Sequence, residues 1–324
     1  MDAESKEIHD DTTPNITVTS ESITEEHVQF HQDNTYSTSY NPIESTINAI
    51  GTYCVAIRLN YNIVAQILCI PHSIWIRDIG MKKAILNTFM LIHKDHKDTK
   101  LVQAIIMGTI KESLNKGINI GYYWISDDSK ESSIKSAAWY RPLLLKKARA
   151  LDYELIKKAN YKLIKNKPYF IEPSTDLDFK HIESNSVIRL CPNLEILGKV
   201  ITFKTIRHKE NKNNCECGFC IGCVGNIVGI VGYRPFNIVR TQISFEVSQL
   251  CYFDCLPGFA ALVLTELFIH LKENNVIAIH GVFMSGIEKV EEEMCLSTTN
   301  NMYLDFYNLN HALSKSNQIA TLYF

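Results

Sequence analysis

The segment Ile85–Ile125 leaves this chain few ways to fold. Ile85–Ile92 is an apolar run of strand length, and His93–Thr99 is a short turn rich in Lys, Asp and His. Leu101, Val102, Ile105, Ile106, Thr109, Ile110 and Leu114 then recur at helical spacing and form one apolar stripe. Gly117 stands where that helix should stop, because glycine enters the left-handed region at little cost. Ile118–Ile125 reads as a second, aromatic-rich strand. Asp98 or Thr99 is placed to cap the helix start. The first amides of the helix lack partners within it and face the turn, where Lys94, Lys97 and Lys100 also gather. Unpaired amides, a helix dipole and ammonium groups make an anion site that suits a pyrophosphate. The residues that would hold it are Lys94, Lys97, Asp98, Thr99, Lys100, Leu101 and Val102. The turn lacks the glycine-rich form of a phosphate-binding signature, so a generic strand–helix unit with a solvated charged turn is the alternative.

Composition narrows the function classes. Lys+Arg 33 against Asp+Glu 35 leaves almost no net charge, which argues against nucleic acid or another polyanion as the partner. No apolar run reaches membrane-spanning length and no signal pattern opens the chain, so the expectation is a cytoplasmic protein without a transmembrane segment. Ten cysteines in that setting read as thiols or metal ligands rather than disulfides. The 324 residues suffice for one large or two moderate domains.

Along the chain, residues 1–38 are acidic, polar and weakly patterned, and read as a disordered tail. Tyr53–Leu59 and Ile63–Ile76 read as a strand pair turning at Asn60-Tyr61-Asn62, with Pro71 as an interruption or bulge. Trp139-Tyr140-Arg141-Pro142-Leu143 precedes a basic helix, Leu144–Tyr153. Further strands are expected at Lys199–Ile206, Asn226–Tyr233, Cys251–Leu256, Val276–Val282 and Met302–Leu309. Helices are expected at Phe259–Leu271 and Ile287–Met294. Strand–helix–strand thus occurs at 85–125 and again at 249–282, which implies two related α/β halves around a shared cleft.

Specific stretches resemble the eukaryotic N-myristoyltransferases, which are two fused GNAT-type halves. Val64–Asp78 resembles that family's Ile-Pro hairpin strand. Asn87–Lys94 resembles its Asn-Phe-Leu-Cys-Val-His-Lys segment, and Trp139–Leu143 resembles its Trp-His-Arg-Ser-Leu motif. Cys251–Asp254 with the helix after Pro257, and Met302–Leu309, resemble later core elements, and the spacing to Phe324 is similar. The implied fold class is α/β, an α+β mixed sheet of two GNAT-like halves sharing a central cleft. Residues 39–150 would be the acyl-CoA-binding half, and 151–324 the peptide-binding half with a Cys-rich loop at 208–225.

What the resemblance implies for chemistry is equally concrete. The substrates would be myristoyl-CoA and the N-terminal glycine of a peptide or protein, and the enzyme would be a monomer. The main-chain carboxylate of Phe324 would be the base that deprotonates the glycine amine. The backbone amides of Phe89 and Met90 would form the oxyanion hole, for which a strand bulge is needed. Thr88 replaces a family Asn in this register. Several features depart from the family. Its aromatic N-terminal segment is missing, and its Gly-Asp-Gly loop becomes Ser297-Thr298-Thr299-Asn300-Asn301. The segment from Glu172 to Lys199 is short for the helices that line the peptide groove. A catalytically impaired member of the fold that binds acyl-CoA or a protein is therefore an alternative, and a GNAT-type acetyltransferase is a third.

Cys215, Cys217, Cys220 and Cys223 form C-x-C-x2-C-x2-C, a set that is able to surround a structural zinc ion tetrahedrally. Unliganded cysteines in a hairpin tip are the alternative. No Ser-His-Asp or paired-carboxylate pattern stands out, so direct transfer without an acyl-enzyme is expected.

Overall fold

The computed structural model describes residues 16–34, 52–96, 99–125, 134–151, 169–208, 227–240, 243–309 and 318–323. The described strands begin with β1 (Ile16–Glu21), β2 (Tyr53–Leu59), β3 (Asn62–Ile76), β4 (Gly80–Ile92), β5 (Ile120–Ile125), β6 (Ile134–Pro142) and β7 (Tyr169–Pro173). The others are β8 (Ile188–Cys191), β9 (Thr202–His208), β10 (Ile227–Arg240), β11 (Ile243–Cys255), β12 (Ala278–Val282), β13 (Ser297–Tyr307) and β14 (Ile319–Ala320). Helices are α1 (Glu25–Asn34), α2 (Thr99–Asn115), α3 (Leu145–Ala148), α4 (Asp176–His181), α5 (Leu194–Leu197) and α6 (Ala260–Glu273).

All the described strands join one sheet, in the order β1-β2-β3-β4-β5-β13-β6-β12-β11-β10-β9-β7, with β8 and β14 attached beside β3. Two strand–helix–strand units sit in it, β4–α2–β5 and β11–α6–β12, and both close as parallel pairs. The apolar stripe on α2 packs its Ile105 with Ile57, Ile67 and Ile85 of the sheet. Val263, Leu264, Leu267 and Leu271 of α6 do the same over Val231, Phe253 and Ile279. Gly117 takes φ +69 just past α2, as a helix stop requires. Among the described residues, no helix is long and apolar enough to cross a membrane.

Several sequence expectations need correction. The disordered tail assigned to residues 1–38 does not extend over 16–34. Ile16–Glu21 pairs with β2, and α1 follows it. Apolar patterning missed this because Ile16 and Val18 are exposed, and the segment is held by its backbone ladder and by Arg58. Arg58 bonds both Glu21 oxygens and both Glu26 oxygens. Pro71 causes no break, since β3 pairs with β4 straight through it. Trp139–Pro142 lie on β6, and the basic helix after them is formed as α3 and a 3-10 turn at Arg149–Leu151, with residues 152 and 153 outside the described ones. The acidic helix shrinks to a 3-10 turn at Ile287–Val290. Ser297–Asn301 is part of β13 and pairs with β6, with a bulge between Thr298 and Asn301.

Candidate functional site

The ladder between β3 and β4 breaks at one place. Thr88 faces Leu68 and Leu91 faces Gln66, so Phe89 and Met90 together oppose the single residue Ile67. That is a β-bulge, which takes an extra residue out of the ladder and re-aims the backbone there. Phe89 adopts φ 51, an uncommon conformation for a bulky side chain that surrounding structure must hold in place.

The strands also part beside the bulge. Parallel pairing of β4 with β5 covers Ala84, Ile85 and Leu86 opposite Ile120, Gly121 and Tyr122, and stops there. Beyond this point β5 stays paired with β13, through Trp124 opposite Leu304 and Ile125 opposite Tyr303. The wedge that opens is a cavity of about 240 Å³. Phe89 and Met90 line one wall, Tyr123 and Trp124 the other, and Val102 and Ile106 of α2 close it. Asn87 lies on the same wall and is 4% exposed. Its amide nitrogen donates to the Tyr307 hydroxyl at 3.2 Å, while its Oδ1 is buried with no partner among the described residues. A buried amide oxygen in that state is ready to accept from an N–H placed in the cavity.

The turn before α2 carries the residues read as an anion site. His93 continues the ladder, its amide donating to the Val64 carbonyl at 2.8 Å, and the His96 amide turns back to the His93 carbonyl at 2.9 Å. The Lys94 amide donates to Asn34 Oδ1 at the end of α1, at 3.4 Å. Lys97 and Asp98 lie outside the described residues. Thr99 begins α2, Lys100 is exposed beside it, and Leu101 and Val102 are half-buried. No acidic side chain occupies the first turn of α2 to repel an anion there.

The end of the described chain runs into the same region. β14 pairs in parallel with β8. The Leu322 amide donates to the Tyr122 hydroxyl oxygen at 3.3 Å, and Trp124 Nε1–H donates to the Leu322 carbonyl at 3.1 Å. The Tyr323 amide donates to the Cys251 carbonyl at 2.8 Å, and its ring meets Trp124 edge-on at 5.7 Å. The chain's last described residues therefore lie between β5 of the first unit and β11 of the second. Behind them, Tyr122 bonds His72 Nε2 at 2.9 Å, and His72 Nδ1 bonds the Ile70 carbonyl at 3.0 Å. A carbonyl only accepts, so Nδ1 carries the proton and the imidazole is neutral, in line with burial pushing its pKa down to about 4. His72 also lines a larger cavity, about 760 Å³, at the opposite end of β3 and β4.

No family model and no curated protein sequence matches this chain. Solved structures do match. A structure of Saccharomyces cerevisiae N-myristoyltransferase with bound myristoyl-CoA aligns at TM-score 0.65 and 12% identity, over 94% of this chain and 84% of that one. A second structure of the yeast enzyme with bound myristoyl-CoA gives TM-score 0.65 at 13% identity, over 92% and 84%. The fold is that of the N-myristoyltransferases. An Enterococcus faecalis protein described as a probable N-acyltransferase also aligns, at TM-score 0.52 and 10% identity, over 92% of this chain and 74% of that one.

Within this N-myristoyltransferase fold, Phe89, Met90 and Val102 line one cavity, and Lys94, Lys100 and Leu101 lie along the turn and helix that lead to it. Phe324 lies outside the described residues, one peptide bond beyond Tyr323. Cys215, Cys217, Cys220 and Cys223 lie outside them too, so the zinc expectation has no structural counterpart to set against it. Sequence reading did not single out Asn87. Asn87 and Thr88 both line the cavity, just before the bulge.

Proposed function

We propose that this chain transfers a fatty acyl group from acyl-CoA to the N-terminal glycine amine of a peptide or protein, as a myristoyl-CoA-dependent N-acyltransferase. The observation that carries the reading is the coincidence of three features. A bulge with a left-handed residue at Phe89 lines a cavity between parted strands, and Leu322, among the last described residues, bonds Trp124 of the opposite wall. The CoA pyrophosphate binds at the start of α2, with Lys94, Lys97 and Lys100 around it and Asp98 to Val102 supplying the turn and its amides. The thioester lies in the cavity with its carbonyl oxygen toward the amides of Phe89 and Met90.

The Phe324 carboxylate takes a proton from the glycine ammonium, because only the neutral amine has an electron pair to attack with. Asn87 Oδ1 accepts an N–H from that amine and orients it. Nitrogen adds to the thioester carbon, and the charge that develops on oxygen is stabilised at the bulge. One such donor contributes about 2.7–4 kcal/mol. The C–S bond then breaks, the nitrogen gives up its second proton to the departing sulfur, and the products are the amide and the CoA thiol.

A second reading keeps the acyl-CoA site and drops the transfer. What favours it is the pairing of Ser297–Asn301 into β13, where the family has a peptide-contacting loop. The test is thioester cleavage with myristoyl-CoA and a glycine-initiated peptide, run beside acetyl-CoA. Myristoyl turnover that requires the peptide supports transfer. Tight myristoyl-CoA binding with no turnover supports the binding module and rejects transfer, and a preference for acetyl-CoA rejects the long acyl chain.

A further inference from the structure

Tyr122 is fully buried on β5, and its hydroxyl stands between two parts of the fold. On one side it meets Nε2 of His72, on β3, at 2.9 Å. On the other it accepts the Leu322 amide at 3.3 Å. β4 lies between β3 and β5, and the residue it sets opposite His72 is Ala84, which in turn faces Ile120 of β5. A methyl group is all the side chain at that crossing. The imidazole therefore reaches over β4 to the tyrosine, and the two rings meet edge-on at 5.5 Å. A larger side chain at 84 would fill the crossing and keep the two rings apart.

The hydrogen bonds all run one way. His72 Nδ1 gives its proton to the Ile70 carbonyl at 3.0 Å, so Nε2 is the acceptor and the Tyr122 O–H donates to it. The histidine thus sets the direction of the hydroxyl, and with it the lone pair that receives the Leu322 N–H. The carbonyl of the same Leu322 accepts from Trp124 Nε1–H at 3.1 Å, and the Tyr323 ring lies edge-on to that indole at 5.7 Å. Trp124 is a wall of the cavity that opens beside the bulge. A continuous line of contacts therefore leads from His72 through Tyr122 and Leu322 to the cavity wall. Breaking a buried chain of this kind leaves a donor without an acceptor, which costs more than one bond gains.

We propose that His72 is a positioning residue for the acyl cavity: it fixes the Tyr122 hydroxyl, the hydroxyl seats Leu322, and Leu322 holds the Trp124 indole at the wall. That the cavity takes an acyl chain rests on the function proposed above. His72 does not line this cavity itself and acts only through the two residues between. Without the imidazole nitrogen, the Tyr122 O–H turns toward another acceptor, and the Leu322 amide loses its lone pair. The Leu322 carbonyl then moves away from the indole, and the wall loses its fixed shape.

The test is indole 15N–1H NMR together with myristoyl-CoA binding on the same samples. The chain has 3 tryptophans, Trp75, Trp124 and Trp139, so each gives one indole signal, and Trp124→Phe assigns the relevant one. In His72→Phe the Trp124 proton should move upfield, as a lost hydrogen bond requires, and affinity for myristoyl-CoA should fall about tenfold, the size of one such bond. His72→Gln should match wild type in both, because the glutamine carbonyl reaches the place of Nε2 and accepts from the hydroxyl. Tyr122→Phe should reproduce His72→Phe, and the double variant should be no worse than either, since both act on one chain of bonds. Tyr122→Phe serves if His72→Phe does not fold. A Trp124 signal unchanged in His72→Phe, or in Tyr122→Phe if only that variant folds, overturns the proposal. A signal that moves as far in His72→Gln as in His72→Phe assigns the effect to packing and overturns it as well. A moved signal with unchanged affinity rejects the role at the cavity. Wild type that binds no myristoyl-CoA rejects the function proposed above, while the indole signal still decides whether His72 holds the wall.

Discussion

A β-carbon on Gly121 would overlap the ring of Tyr307. Tyr307 is the partner of Asn87, lines the cavity, and lies within 3.4 Å of the Ser113 hydroxyl on α2. A glycine at this point lets the ring cross β5 and close the wedge between the parted strands. Gly121→Ala should therefore cost about 1–3 kcal/mol of stability, as forced overpacking does, and weaken acyl-CoA binding. Pairing it with Tyr307→Leu should restore part of the stability, read by denaturant unfolding, because the two sites share one clash. Equal losses in the single and double variants would show that the close approach does not matter. At this scale the sequence pointed to Phe89, Met90 and Val102, which line one cavity, but not to their contacts. Phe89 and Met90 were identified by resemblance to a motif. His72 was not, because no local pattern links residues that only the sheet order brings together.

Among the elements, β1 and α1 are held unlike the rest. Arg58 holds Glu21 down to about 2, chiefly through its hydrogen bonds. Burial lowers both His27 and His31 from 6.5. His27 Nδ1 accepts from the Thr24 backbone amide at 3.2 Å, so protonating that nitrogen sets a donor against a donor. The signs follow from linkage. A histidine whose folded pKa is depressed contributes stability above its unfolded value and loses it as pH falls below about 6.5. Glu21 keeps its contribution until pH falls from about 4.5 toward about 2. Amide exchange, corrected for its intrinsic pH dependence, should show protection of residues 25–34 falling between pH 7 and pH 5. A second loss should follow in the Glu21 window. Uniform protection down to pH 5 would mean that the buried histidines do not govern this segment. The sequence hid these elements because charge and backbone pairing hold them, and an apolar stripe does not. By contrast β4, α2 and β5 were legible to within a few residues, since their apolar periodicity is what buries them.

Across the whole molecule, two strand–helix–strand units share one sheet, and the tail passes between them. Leu322 is fully buried, and its backbone is bonded on both sides by β5 side chains. The repeated unit was visible in the sequence at 85–125 and 249–282. The order of strands between the units, with β13 inserted beside β5, was not, because strand neighbours are chosen by packing and not by local pattern. The measurement that bears most directly on the account is the rate of myristoyl transfer to a glycine-initiated peptide by the wild-type chain and by a chain extended a few residues past Phe324, each first shown to bind myristoyl-CoA. The account predicts transfer by wild type and at least a hundredfold slower transfer by the extended chain, with binding of the acyl donor retained. Equal rates in the two would contradict it.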